Sequence, residues 1–178
     1  MLASMADRSP ISITSACYDP NLFGPWFQNR SSWRAWMTFL RALFGQSPVG
    51  SDLLTFKECT GRDTFPTKRF SEGWLVVGRR GGKSLILALI AVYLACFVSW
   101  RGYLAPGEVG TIMVIATDRK QARVIFNYIK AFLRNIPMLG KLVAKPPSSE
   151  DIELRNRIVL EVHTASFRSV RGYTIVAA

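Results

Sequence analysis

The chain has 178 residues, of which 49% are hydrophobic and 20% charged, so it has room for one domain with a sizeable core, and a disordered protein is excluded. Its 23 Lys and Arg residues outnumber the 12 Asp and Glu residues, for a net charge of +11. That excess favours a polyanionic partner, either nucleic acid or a phosphate-rich ligand, with plain solubility charge as the alternative.

The N-terminal twenty residues are polar and contain no apolar run of signal-peptide length. The three cysteines (Cys17, Cys59 and Cys96) are far apart and form no CxxC pair. This pattern argues against a disulfide scaffold or a zinc site and favours a reducing compartment. We therefore expect a cytosolic protein.

A helix is predicted from Trp26 to Phe44, because aromatic and apolar residues recur there every three or four positions. Ser31 or Ser32 is the expected N-cap, and Gly45 the expected stop. The aromatic face is interpreted as a packing surface, with a stacking platform for single-stranded nucleic acid as the alternative.

A second, short helix is predicted at 53–59 and a loop at 61–66. The apolar residues Trp74 to Val77 predict a strand, and Leu85 to Val98 predict a buried helix. That apolar run of fourteen residues is shorter than the ~20 needed to span a bilayer. A membrane segment is therefore not expected.

Further along the chain, strands are predicted at 111–116, 151–154, 158–164 and from residue 174 onward, with an amphipathic helix at 121–133. The 151–154 and 158–164 pair is expected to form a hairpin that turns at 155–157, and 137–149 a loop. Strands that alternate with helices indicate an α/β protein with a parallel sheet.

The segment between the predicted strand at 74–77 and the following helix contains the residues Gly78, Arg79, Arg80, Gly81, Gly82, Lys83 and Ser84. Glycines allow backbone N–H groups to surround phosphate oxygens, and the helix N-terminus adds its positive dipole end. Lys83 is then expected to contact the β- and γ-phosphates, and the Ser84 hydroxyl to bind Mg²⁺. The spacing is one residue shorter than the usual pattern, and an incidental glycine-rich turn is the alternative.

Two arginines inside such a loop are unusual. Arg79 or Arg80 could stabilise the charge that develops during γ-phosphoryl transfer. A solvated or acid-paired arginine is the alternative, favoured more for Arg80 than for Arg79.

This loop resembles the Walker A motif of the terminase large subunits of tailed phages, which carry an arginine at this place and the same short spacing. Segments 19–24 with 33–36, 58–62, 116–122 and 169–172 are similar to terminase segments in the same order. The resemblance implies an incomplete P-loop NTPase-like (ASCE/RecA-like) α/β fold, a parallel sheet flanked by helices. It also implies an aromatic-rich helical segment at 1–50 and a partial ATPase domain at 51–178, which we expect to end before or within the Walker B strand.

By the same resemblance the chain is the ATPase part of a motor that packages double-stranded DNA into a procapsid, using ATP and Mg²⁺. The implied partners are the portal protein and the small terminase subunit, and the implied assembly is a homo-oligomeric ring in the cytoplasm of a bacterial host. Lys83 and Arg79 are the implied catalytic residues. Arg168 and Arg171 are candidates to act on a neighbouring subunit's ATP, or else to pair with acidic residues.

Two departures from the family's pattern bear on this expectation. The nuclease domain of the family and the Walker B carboxylates are not seen, so the segment alone is expected to be inactive. No glutamine lies between Gln46 and Gln121, so an adenine-reading glutamine is not evident. Another DNA-dependent P-loop ATPase or helicase, or an inactive prophage remnant that only binds nucleotide or DNA, is the alternative. The one histidine, His163, is expected to be packed or exposed rather than catalytic, and no metal-ligand spacing is present.

Overall fold

The computed structural model describes residues 9–164 and 172–178. The chain divides into two compact units, the first ending at Gly78 and the second beginning at Arg79. The functional division expected at residue 50 stays a prediction.

The described residues of the first unit form three helices: α1 (Ile13–Tyr18), α2 (Arg34–Leu43) and α3 (Asp52–Thr60), with a 3-10 turn at Gly24–Trp26. Helix α1 begins at an N-cap, Ser12, whose hydroxyl accepts a hydrogen bond from the Ser15 N–H. Ile13, Phe23 and Leu40 are completely buried. The short helix and the loop predicted at 53–66 are confirmed by α3 and the irregular segment after it.

The helix predicted from Trp26 begins only at Arg34, so its predicted start was wrong by eight residues. The reason is local: the Asn29 carboxamide oxygen accepts from the Ser31 hydroxyl at 2.8 Å, and the Ser32 hydroxyl donates to the Asn29 carbonyl at 2.9 Å. Such side-chain bonds offer the backbone an alternative to the helix. Neither serine is therefore the N-cap, which is Trp33.

The stop at Gly45 is confirmed. Helix α2 ends at Leu43, Phe44 is its C-cap, and Gly45 has a left-handed φ of 64°. A side chain at Gly45 would meet the Arg69 backbone nitrogen at 2.5 Å, so the position excludes other residues on two grounds. On the predicted aromatic face Met37 and Leu40 are buried, in keeping with a packing surface.

The strand predicted at Trp74–Val77 is wrong. Residues 72–78 have no regular secondary structure, and the Trp74 side chain is 89% exposed. A strand requires hydrogen bonds to a neighbouring strand, and none of the strands in the described ranges pairs with this segment. The apolar residues at 74–77 therefore have no strand to pair with among the described residues.

The second unit contains α4 (Lys83–Phe97), β1 (Gly110–Ala116), α5 (Arg119–Asn135), α6 (Pro137–Gly140), β2 (Asp151–Glu153), β3 (Ile158–Thr164) and β4 (Thr174–Ala177). The four strands form one sheet in the order β2-β3-β1-β4. Strand β1 is parallel to β3 and β4, and β2 is antiparallel to β3. The sheet is mixed but mostly parallel, and helices flank it, which confirms the predicted α/β class.

The predicted elements of the second unit are confirmed with one exception. The loop expected at 137–149 begins with the four-residue helix α6. The predicted hairpin turns at 155–157, where Arg157 has a φ of 67°. At this turn the Asn156 amide donates to the Ala95 carbonyl of α4 at 2.7 Å. The hairpin is thereby fixed to the C-terminal end of α4.

Helix α4 is buried over most of its length, with Ile86, Leu89 and Val92 fully inaccessible. It packs against α5 and also contacts β1 and β3. In the part of the chain that the structure covers, no helix has both the length and the apolar character required to cross a membrane.

Candidate functional site

The candidate site is the turn that leads into α4. Residues 79–82 form this turn, and Gly82 is the N-cap, in a left-handed conformation with φ 81°. The first helical hydrogen bonds run from the N–H groups of Leu85 and Ile86 to the Gly82 carbonyl, at 3.1 and 3.2 Å. The N–H groups of Lys83 and Ser84 precede these bonds, so they are the unpaired donors of the helix N-terminus.

Most residues of this turn are exposed to solvent. Gly78, Arg79, Arg80, Gly81 and Lys83 are exposed, and Gly82 and Ser84 are half-buried. No carboxylate in the described ranges forms an ion pair with Lys83. The turn therefore presents Arg79, Arg80 and Lys83, which form no ion pair among the described residues, beside N–H donors that have no acceptor within the helix. Such an environment attracts an anion.

Arg80 has an unusual backbone. Its φ is 59°, in the left-handed region that costs an L-residue roughly 1–2 kcal/mol. This conformation lets the chain reverse direction immediately before Gly81 and Gly82. Strained residues of this kind concentrate at ligand-binding turns, and the sequence alone gave no sign of which arginine would carry the strain.

The helix behind the turn is rigidly held. Leu85 and Ile86, the first apolar residues after Ser84, are buried, as are Ala88 and Leu89 one turn later. The positive end of the α4 dipole is therefore fixed in position by packing rather than by the turn itself.

Segment 116–122, which resembles a terminase segment, joins β1 to α5. Asp118 is the N-cap of α5, and its carboxylate accepts from the Gln121 N–H at 2.9 Å. The structure thus gives Asp118 a structural role.

A second polar cluster, missed by the sequence analysis, lies at the carboxyl end of β3. The His163 Nε2 atom lies 2.7 Å from a Glu161 carboxylate oxygen, and the His163 ring meets the Tyr173 ring edge-on at a centroid distance of 5.5 Å. The negative charge of Glu161 raises the pKa of Tyr173. His163 is thus half-buried and hydrogen-bonded, as a packed histidine would be.

Arg168 and Arg171 lie outside the described residues. The cysteines at 17, 59 and 96 are free thiols. Across residues 9–164 and 172–178 no cluster of His, Cys, Asp and Glu has the geometry of a metal site.

Comparison with known protein families gives a match. The family model described as "Terminase large subunit, ATPase domain" matches residues 60–160, more than half of the chain. The matched range includes the turn at 79–84, α4, β1 and α5. No curated protein and no solved structure matches the chain.

Proposed function

The chain belongs to the terminase large subunit ATPase domain family, and from that premise we propose that it binds Mg²⁺·ATP at residues 78–84 as part of a motor that drives double-stranded viral DNA into a procapsid. In the same proposal the motor is a homo-oligomeric ring in the cytoplasm of a bacterial host. Its partners are the portal protein and the small terminase subunit. The observation that supports the proposal most is the glycine-rich, cationic turn at the N-terminus of α4.

The turn fits a triphosphate on three counts. The N–H groups of Lys83 and Ser84 precede the first helical bonds and have no acceptor within the helix, so they are available as donors to phosphate oxygens. A side chain added at Gly78 would meet nothing within 4 Å, so the backbone there is open to a ligand. The cationic side chains of the turn supply charge of the required sign.

The individual roles follow from reach and chemistry. The flexible ammonium of Lys83, at the first position of α4, would contact the β- and γ-phosphates, and the Ser84 hydroxyl would ligate Mg²⁺. The bound Mg²⁺ would draw negative charge from the phosphate oxygens during transfer. The Arg79 guanidinium would stabilise charge on the γ-phosphoryl group, and the strained Arg80 would fix the turn.

Replacement of Lys83 tests the proposal. The full chain should bind a fluorescent ATP analogue in the presence of Mg²⁺, and Lys83→Ala should weaken that binding by at least about tenfold, which corresponds to ~1.4 kcal/mol. Lys141→Ala is the matched control, because Lys141 is an exposed lysine of the same unit, outside the turn. It should leave the affinity unchanged.

Magnesium gives a second measurement. Ser84→Ala should reduce the gain in ATP affinity that Mg²⁺ produces while leaving metal-free binding nearly unchanged. The proposal fails if the wild-type chain does not bind ATP, or if Lys83→Ala and Lys141→Ala bind it equally well.

A further inference from the structure

The solvent face of α5 carries an unusual arrangement of charge. Four basic residues, Lys120, Arg123, Lys130 and Arg134, follow one another at intervals of three, seven and four residues. At 100° per residue they fall within an arc of about 80°, so they form one stripe along the helix. We call these four residues the basic stripe.

The opposite face of α5 anchors the helix. Ile125, Ile129 and Phe132 are buried there, so the orientation of α5 about its axis is set by the core of the unit. Lys120, Arg123 and Arg134 are exposed and Lys130 is half-buried, with its amine 5.1 Å above the Phe126 ring. The stripe is therefore held outward by packing on its back.

The surroundings of the basic stripe are poor in acidic residues. The sequence from residue 119 to 149 contains no Asp or Glu. Within the described ranges no ion pair involves any of the four residues of the basic stripe, and the nearest acid in sequence, Asp118, is occupied as the N-cap of α5. Arg123 shares a cavity of about 340 Å³ with Glu150 and His163 but forms no ion pair with that carboxylate.

This charge pattern opposes the stability of the helix. Lys120 and Arg123 are like charges three residues apart, and Lys130 and Arg134 are like charges four apart, where opposite charges would be favourable. The first turn of α5 contains no acidic residue, although acids are favoured there by the helix dipole. A solvated helix face normally mixes both signs of charge, so this arrangement is the one expected where an external polyanion supplies the negative charge.

We infer that the basic stripe of α5 is a docking surface for the sugar-phosphate backbone of double-stranded DNA. The identity of the polyanion rests on the proposed DNA-packaging function, and the surface itself on the charge and burial of α5. From Lys120 to Arg134 the stripe is about 21 Å long, the axial rise of about six base pairs. The stripe contains no aromatic residue that could stack on bases, and Asn127 lies in its middle as a neutral donor. It therefore provides contacts with phosphates and no base readout.

The test compares two variants of equal charge. In the stripe variant the four basic residues become glutamine, a good helix former, so that the helix is kept while the charge is removed. In the control variant Arg34, Lys57, Arg62 and Lys68, four exposed residues of the first unit with the same two-Lys, two-Arg composition, become glutamine. Binding of the full chain to a fluorescent duplex is measured by anisotropy between about 50 and 200 mM salt.

The wild-type chain should bind the duplex with a steep salt dependence. In the stripe variant the slope of log K against log salt should become shallower by about 3.6, since each phosphate contact contributes about 0.9, and affinity should fall at least about tenfold. The control variant should retain the wild-type slope. A third variant with each stripe Lys and Arg exchanged for the other should bind like wild type, because it keeps the four positive charges.

The inference is overturned if the stripe and control variants lose DNA affinity equally, because the effect is then one of net charge. It is also overturned if the wild-type chain binds vesicles that contain phosphatidylserine but not the duplex. ATP binding by the same variants separates this inference from the proposed function. Intact ATP binding together with an unchanged DNA slope in the stripe variant defeats the docking surface alone.

Discussion

Asp52 forms the densest polar network in the first unit, and its replacement gives the clearest test of how that unit is stabilised. The buried carboxylate accepts from the Thr38 hydroxyl at 2.7 Å, the Val49 N–H at 2.7 Å and the Arg41 guanidinium at 2.9 Å. The side chains of Arg41 and Asp52 are only 11% and 4% exposed. Asp52→Ala therefore leaves a buried cation without its partner.

The expected cost follows from that burial. Removal of one member of a buried ion pair costs about 3–5 kcal/mol, because the remaining charge stays desolvated. The Thr38 hydroxyl keeps an acceptor, the Arg34 carbonyl at 3.2 Å, so most of the cost falls on Arg41 and the Val49 N–H. At a urea m-value of about 2 kcal/mol/M, the unfolding midpoint should fall by about 2 M.

Asp63 provides a matched control in the same unit. It pairs with Lys57 at 2.6 Å, and the side chains of Lys57 and Asp63 are 60% and 76% exposed, respectively. Asp63→Ala should cost only about 0–1 kcal/mol, since exposed pairs contribute little. Urea unfolding followed by tryptophan fluorescence suits the comparison, because four of the five tryptophans precede Gly78. Equal costs for the two variants, or a cost below about 1 kcal/mol for Asp52→Ala, would refute the reasoning.

Two further predictions concern the titratable groups. Burial raises the pKa of the Cys17 and Cys96 thiols to about 12, so at pH 8 iodoacetamide should modify the exposed Cys59 first, as mass spectrometry would show; equal labelling of all three in the folded chain would contradict this. The Thr174 hydroxyl donates to Glu108 at 2.6 Å, and together with the Ala105 N–H it holds the pKa of Glu108 below its ordinary value of 4.5. The stabilisation of the fold by the Glu108 carboxylate is therefore present above pH 4.5 and lost as pH falls through the lower, folded-state pKa. Thr174→Val should therefore raise the pKa of Glu108 in carboxyl NMR titrations and make the chain less sensitive to acid below about pH 4.5, whereas an unchanged pKa would refute the role of the hydroxyl.

Much of the second unit could be predicted from the sequence. The uninterrupted apolar run after Ser84 indicated α4, and two strand-like segments on either side of 155–157 indicated the hairpin. Both patterns arise because certain residues are buried, and the positions of the apolar residues in the sequence indicate which ones. A carboxylate just before an amphipathic helix is a recognisable N-cap signal, and Asp118 is in that position.

The features that were missed depend on local competition or on partners. The late start of α2 results from the hydrogen bonds of Asn29 with two serines, which a periodicity argument ignores. Residues 74–77 have strand-like composition but no neighbouring strand, and composition does not report pairing. The basic stripe was visible in the sequence as charges spaced three, seven and four apart, yet only the burial of the opposite face shows that the four residues point outward together.

The central claim is that the turn before α4 holds the phosphates of ATP, and hydrogen–deuterium exchange of the full chain with and without Mg²⁺·ATP tests it most directly. We predict that protection on ATP addition centres on peptides that contain residues 78–86, because the N–H groups of Lys83 and Ser84 gain acceptors there. Lys83→Ala should abolish that protection. Protection confined to other peptides, or persistence of the protection in Lys83→Ala, would contradict the assignment of the site.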